Sequence, residues 1–177
     1  FLLSSNIFSQ TIDHWENLVD ATDIWKYLIP SAELPANWTN QEFDDALWSS
    51  GPGGIGYGDN DDNTIVPEKT LSVFIRKNFF LEDSSKLISA FLYVDYDDAF
   101  VAYLNGNEIA RANIGTINIR PAFNAISINT VEPAFASGAI PSKFPIDNKK
   151  LVSSLKKGVN TLALQFHNRS YTSSDLS

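Results

Sequence analysis

Residues 59–63 of the chain, Asp-Asn-Asp-Asp-Asn, have the side chains and the spacing of a calcium-binding loop. Asp59, Asp61 and Asn63 stand at relative positions one, three and five, where calcium loops place hard oxygen ligands. The rest of an EF-hand is missing, because position six is Thr64 instead of glycine and position twelve is Thr70 instead of glutamate. An EF-hand is therefore excluded, and two interpretations stay open: a looser calcium loop and an acidic solvated turn.

A second acidic group, Asp95-Tyr96-Asp97-Asp98, lies between two strongly apolar segments. Aspartates in such positions commonly accept hydrogen bonds from backbone N–H groups, so we expect a turn with capping carboxylates. Paired carboxylates also hydrolyse glycosides, but only at a defined separation. The sequence fixes no separation between carboxylates across a sheet, and a glycosidase centre is not predicted.

The chain lacks the common signatures of nucleophilic and metal catalysis. Its histidines are His14 and His167, it has no cysteine, and it contains neither a Gly-x-Ser-x-Gly elbow nor a His-Glu-x-x-His helix. The glycine-rich residues 51–58 lack the lysine and the following helix of a phosphate loop. We expect His167 to end the last strand with its ring hydrogen-bonded near a sheet edge; a role as a polar anchor beside Asn168 is the alternative.

A sugar site requires an aromatic platform with polar neighbours that bind hydroxyl groups. Tyr57, next to the acidic loop, is the first candidate for the platform, and Trp48 is expected to flank it. Arg76, Asn105 and Asn168 are the candidate hydrogen-bonding residues. For each of these five residues a purely structural role is the competing interpretation.

The composition of the chain limits the classes of molecule that it is expected to bind. The 177 residues carry a net charge of −8, with 12% aromatic residues. An acidic chain without clustered lysine and arginine is not expected to bind nucleic acid or anionic membranes. It has no apolar run near the roughly 20 residues of a membrane span, and membrane insertion is not expected.

The pattern of short apolar segments predicts strands with little helix. Strands are predicted at 24–29, 71–81, 87–96, 99–104, 107–111 and 160–167, with a helical turn at 148–155. Asn105-Gly106 predicts a two-residue hairpin turn, and residues 51–58 predict a loop that needs backbone freedom. From 112 to 148 the pattern weakens to a long loop with short strands. Many short strands with turn signals favour an all-β sandwich.

Several motifs along the chain resemble a known family. They are Trp25-x-Tyr27, Trp38, Phe43-Asp44-Asp45-x-x-Trp48, Gly51-Pro52-Gly53-Gly54-Ile55-Gly56-Tyr57-Gly58, Phe74-x-Arg76-x-x-Phe79, the segment from Asp97 to Arg111, and the segment from Leu155 to Asn168. Together they resemble the galactose-binding-domain-like jelly roll that is attached to secreted bacterial glycosidases, phosphoesterases, and spore-coat-kinase-like or lamin-tail proteins. The resemblance covers roughly residues 15–175.

The resemblance implies a jelly-roll β-sandwich, and it adds weight to a structural calcium ion. It also implies a non-catalytic, carbohydrate-binding accessory module of a larger secreted bacterial protein, with a polysaccharide and the C-terminal domains of the same protein as partners. The alternative is a structural or adhesion domain that packs against its neighbours without binding sugar. An enzyme in its own right is not expected.

Residues 1–14 are interpreted as a leader that includes the end of a secretory signal peptide, because an apolar run is followed by small and polar residues. An ordinary hydrophobic strand is the competing interpretation of this segment. Residues 15–177 are then one sandwich domain that continues into a larger protein, and the expected location is extracellular, either secreted or at the cell surface.

Overall fold

The structure is a computed structural model that describes residues 12–58, 62–135 and 138–177. Most of the predicted leader lies outside the described residues. The strands are β1 Ile24–Leu28, β2 Ser49–Pro52, β3 Ile55–Gly56, β4 Thr64–Ile65, β5 Ser72–Leu81, β6 Phe91–Val94, β7 Ala99–Leu104, β8 Asn107–Ala112, β9 Ser142–Pro145 and β10 Gly158–His167. A 3-10 helix spans Ser84–Lys86, and helix α1 spans Asn148–Ser154.

A six-stranded antiparallel sheet with the order β2-β1-β5-β10-β7-β8 forms the centre of the domain. The two long strands, β5 and β10, pair over their whole length from Gly158↔Leu81 to His167↔Ser72. The smaller ladders are the antiparallel pair β6–β9 and the parallel pair β3–β4. The fold is the all-β sandwich that the sequence predicts.

Both faces of the central sheet are buried, because alternate residues of its inner strands supply two separate cores. On β7, Phe100, Ala102 and Leu104 belong to one core, which also contains Leu151 of α1 and Val94 of β6. We call this the helix-side core. The intervening residues of β7 pack with Trp38 and Trp48 in a second core, the tryptophan-side core.

The C-terminal segment is part of the fold. Leu176 is fully buried in the helix-side core and forms a two-way backbone bridge with Tyr57, with N···O distances of 2.9 Å in both directions. The backbone N–H of Asp97 also donates to Ser177 O at 3.0 Å. These contacts fix the end of the chain beside the loop that follows β3.

The predicted strands are confirmed at β1, β5, β7, β8 and β10 within one or two residues, and α1 matches the predicted helical turn. The strand predicted at 87–96 is shorter, because its partner β9 provides only four residues, and the ladder runs from Phe91↔Pro145 to Val94↔Ser142. The predicted loop at 51–58 is partly extended into β2 and β3. The backbone freedom predicted for this loop is needed at Gly54 and Gly58, which have positive φ angles of 77° and 117°.

Candidate functional site

Tyr57 and Asn168, two of the predicted sugar-binding residues, lie side by side in the interior. Asn168 Nδ2 donates to Tyr57 Oη at 3.2 Å and to Asp175 O at 2.7 Å. The Tyr57 hydroxyl donates to Ser173 O at 3.2 Å. Tyr57 is 3% exposed and Asn168 is fully buried, so this pair holds the C-terminal segment and offers no ring face to solvent.

Trp48 and Arg76 lie on the tryptophan side of the sheet, apart from that pair. The Trp48 ring is 7% exposed and packs edge-on against Phe43, 5.9 Å between ring centroids. Arg76 is 1% exposed, its Nε donates to Asp45 Oδ2 at 2.8 Å, and Nη1 donates to the carbonyls of Trp38 and Asn40. These contacts fasten the loop before β2 to the sheet.

Asn105 is at the β7–β8 turn. Its Nδ2 donates to Asn160 Oδ1 and to Ser154 O, both at 2.7 Å, and its Oδ1 accepts from Thr161 N at 2.8 Å. The five predicted residues therefore occupy three places in the fold, and the side-chain polar groups of Tyr57, Arg76, Asn105 and Asn168 are engaged with the protein itself. Sugar binding by this set stays a prediction that requires at least Tyr57 and Trp48 to become accessible.

The predicted calcium ligands are described only in part. Asp59 and Asp61 lie outside the described residues, while Asn63 donates through Nδ2 to Gly53 O at 2.9 Å. Across residues 12–58, 62–135 and 138–177, no group of three or more His, Cys, Asp or Glu side chains is arranged to hold a metal ion. The calcium loop remains a prediction.

The aspartates after β6 cap backbone groups, as predicted. Asp95 accepts from the N–H groups of Ala134 and Phe135 at 2.6 and 2.8 Å. Asp98 accepts from Val131 N at 2.8 Å and Arg169 N at 2.6 Å. Two carboxylates thus organise the long loop between β8 and β9.

Asp97 differs from these two aspartates. It is 2% exposed, and its Oδ2 atom has no hydrogen-bond partner among the described residues. Burial, followed by the charges of Asp175 and Asp98, raises the pKa of its carboxyl to about 8. Burial thus favours the protonated form of this carboxyl, which the fold encloses beside the C-terminal segment.

The two histidines lie in different environments. His167 is fully buried, its Nδ1 bonds to Ala125 O at 2.8 Å, and burial lowers its pKa to about 4, so the ring is neutral at pH 7. The prediction of a hydrogen-bonded ring is confirmed. The predicted position near a sheet edge is wrong, because β10 is an inner strand of the sheet. His14 is exposed, and its Nδ1 and Nε2 atoms lie 3.5 Å from Asp13 Oδ2 and 2.8 Å from Glu16 Oε1.

An exposed aromatic cluster lies on the outer surface of the β6–β9 ladder. It consists of Trp15, Phe91, Tyr93 and Lys143. The Trp15 and Phe91 ring centroids are 5.2 Å apart with a 46° angle between planes. Trp15 is 59% exposed and Tyr93 is 54% exposed. We refer to these four residues as the outer aromatic cluster.

The register of β6 with β9 creates this cluster. In a strand, residues two apart share a face, so Phe91 and Tyr93 point outward while Leu92 and Val94 pack toward the helix-side core. Tyr93 is directly opposite Lys143. The Lys143 ammonium lies 3.6 Å from the Phe91 ring centroid and 5.7 Å from that of Tyr93, within the range of cation–π attraction.

A mainly apolar pocket of about 260 Å³ lies between β8 and β9, close to the cluster. Pro145, the partner of Phe91 in the ladder, is one wall. Glu108 and Arg111 also line it, and their side chains form a buried ion pair with Arg111 Nη2 and Glu108 Oε2 2.8 Å apart. Lys150 closes one side, with Nζ donating to Glu108 O at 3.0 Å. Exposed rings thus lie close to a pocket whose charged side chains bond to groups of the protein itself.

Sequence reasoning missed the outer aromatic cluster, although one signal was present. The spacing of Phe91 and Tyr93 in a strand places both rings on one face, but an apolar run alone does not indicate which face is outward. Trp15 precedes the first strand, and nothing in the sequence predicts its contact with Phe91.

Comparison with known proteins gives similarity of fold. No family model and no curated protein matches the chain. Solved structures that resemble it include a β-glucuronidase of Bacteroides uniformis bound to cyclophellitol-6-carboxylate aziridine, with 16% identity over 86% of this chain and 14% of that chain, at a TM-score of 0.51. A β-glucuronidase from glycoside hydrolase family 2 matches with 19% identity over 84% of this chain and 13% of that chain, also at 0.51.

A third similar structure is a β-glucuronidase of an uncultured Clostridium species, with 16% identity over 86% of this chain and 22% of that chain, at a TM-score of 0.50. The chain therefore corresponds to between 13% and 22% of the length of these proteins. At such identities the likeness concerns the sandwich fold. In the described part of the chain, no helix has the length and apolar character needed to cross a membrane.

Proposed function

We propose that this chain is a non-catalytic accessory domain that binds carbohydrate for a larger, exported, glycan-acting protein. The observation that carries the proposal is the outer aromatic cluster, in which two rings are more than half exposed and lie close to a pocket that Glu108, Arg111 and Lys150 help to line. Sugar-binding sites combine apolar ring faces with a few polar groups that fix orientation. The similar structures support the setting, since each is a glycosidase of which this fold is a small part.

Trp15 and Tyr93 are exposed, unlike the aromatic residues of the tryptophan-side core. The rings of Trp38, Trp48 and Phe74 are buried against one another, and their removal would open the core. The outer cluster covers little of the core, so large exposed rings there contribute less to stability than to contact with a partner. An accessory role also fits Asp97 and His167, whose buried groups do not face solvent.

The test is retention of the purified domain on a panel of immobilised polysaccharides, with Trp15→Ala and Tyr93→Ala as the variants. We expect each variant to bind about tenfold or more weakly, the size typical of removing a central aromatic contact. Tyr171→Ala is the matched control, because Tyr171 is 57% exposed and lies outside the cluster. Melting temperatures of all three variants should stay close to that of the wild type.

Undiminished retention of both variants would place any sugar site elsewhere and return attention to Tyr57 and Trp48. A folded wild-type domain that binds no polysaccharide on the panel would favour the structural or adhesion role instead.

A further inference from the structure

Lys143 places a positive charge within the outer aromatic cluster. Antiparallel pairing puts it directly opposite Tyr93, and its ammonium group lies over the Phe91 ring. The side chain is solvent-exposed. Its position therefore follows from the β6–β9 register, and any ligand that stacks on Tyr93 comes close to this cation.

The charge of Lys143 is not neutralised by a carboxylate within the described chain. Lys77 pairs with Asp23 at 3.3 Å and Lys156 pairs with Glu42 at 4.0 Å, whereas none of the ion pairs between described residues includes Lys143. The acidic residues on either side of Trp15, Asp13 and Glu16, instead lie 3.5 and 2.8 Å from His14 nitrogens.

The ring faces also reduce the hydration of the ammonium group. A cation in contact with an aromatic face loses part of its water, and a ligand anion then interacts with it more strongly than with a fully hydrated surface lysine. The chain as a whole carries a net charge of −8 and repels polyanions. A preference for an anionic glycan would thus have to arise locally, at this lysine.

We infer that the outer aromatic cluster selects an anionic sugar unit, carboxylated or sulfated, over its neutral counterpart. The inference rests on the proposed function. Tyr93 and Trp15 provide the ring faces on which the sugar stacks, and Lys143 binds the carboxylate or sulfate group. The two sources of negative charge are separated by the ligands used in the test.

The experiment compares four ligands at low and high salt: polygalacturonic acid, its fully methyl-esterified form, a sulfated galactan and the unsulfated galactan. Wild type is expected to bind at least one charged polymer about fivefold more tightly than its neutral partner at low salt, as for an exposed ion pair of about 1 kcal/mol. Salt should reduce this preference.

The variants assign the preference to one residue. Lys143→Met keeps an apolar stem on the rings and should remove the preference, whereas Lys143→Arg should retain it. Lys157→Gln is the control for net charge, because Lys157 is exposed and has no aromatic contact among the described residues.

Equal binding of the charged and neutral partners by wild type would overturn this inference and leave the proposed function standing. Binding of no polymer by the folded domain would overturn both. A preference that persists in Lys143→Met, or that disappears equally in Lys157→Gln, would refute the assignment to Lys143.

Discussion

Arg76 illustrates why the candidate site was hard to predict residue by residue. An arginine in a strand suggests a hydrogen-bond donor for a ligand, but here it is 1% exposed and binds Asp45 together with three backbone carbonyls. Its partners belong to a loop far away in the sequence, and local patterns do not report such contacts. The same holds for Tyr57, whose partner Leu176 is near the other end of the chain.

The buried carboxyl of Asp97 leads to a prediction about how the stability of the domain depends on pH. A carboxyl whose pKa is raised in the folded state, from 3.8 to about 8, binds its proton more tightly when folded than when unfolded. Its contribution to stability is therefore complete below about pH 4 and is lost as the pH rises through 8. We expect the contribution of Asp97 to the free energy of unfolding to fall by a few kcal/mol between pH 5 and pH 9. In wild type His167 offsets part of this loss, because its lowered pKa of about 4 destabilises the folded state at pH 5.

Asp97→Asn should reduce that loss, because the amide resembles the protonated acid and does not ionise. Urea unfolding at pH 5 and pH 9 measures the difference, and Asp13→Asn is the control, since the Asp13 side chain is 99% exposed. Equal pH dependence in wild type and Asp97→Asn would show that Asp97 is not the titrating group.

For strands and turns, sequence patterns predicted the structure correctly where a local preference of the residues determines it. Strands β5, β7 and β10 were predicted from their short apolar segments, whose side chains the structure buries on both faces of the sheet. The β7–β8 turn was predicted because Asn105-Gly106 suits positive φ angles, observed at 48° and 88°. The length of β6 was not predicted, because it depends on the four residues of a distant partner strand.

The β7–β8 turn provides the second prediction. Gly106 has a φ of +88°, and a Cβ added there would lie 2.3 Å from Asn40 Oδ1. Gly106→Ala is therefore expected to lower the free energy of unfolding by about 1–2 kcal/mol, from the left-handed backbone alone, and more from the contact with Asn40. Equilibrium denaturation measures the loss.

Gly158→Ala separates these two contributions. Gly158 also has a positive φ, +97°, but no atom lies within 4 Å of an added Cβ. Gly158→Ala should thus lower the free energy of unfolding by the backbone cost alone, and by less than Gly106→Ala does. If Gly106→Ala were no more destabilising than Gly158→Ala, the contact with Asn40 would carry no cost.

For the whole molecule, the sequence predicted the sandwich but not its exposed aromatic surface. Alternation identifies buried faces, and the central sheet is buried on both sides by segments that the chain supplies from its N-terminal loop, its helix and its C-terminal segment. What remains exposed depends on which segments cover which face. The outer aromatic cluster is visible only once β9 has been paired with β6 and Trp15 has been placed on Phe91.

The predicted calcium loop is tested on the whole domain, through its melting temperature. A ligand that binds only the folded state stabilises it by mass action, by about 2.7 kcal/mol at a free concentration one hundred times the dissociation constant. For a domain of this size that corresponds to a rise of roughly 5–10 °C. We therefore expect wild type to melt at a higher temperature in excess calcium than in chelator.

The double variant Asp59→Asn with Asp61→Asn should remove that rise, whereas Asp13→Asn should retain it. Asn63 already bonds to Gly53 O, and calcium binding through its side-chain oxygen is compatible with that contact, since Nδ2 is the donor. Identical melting temperatures in chelator and excess calcium would reject a calcium site. A rise that persists in the double variant would reject the loop and direct attention to the buried Asp97 and the half-buried Asp175, because calcium would then compete with the proton that burial favours on Asp97.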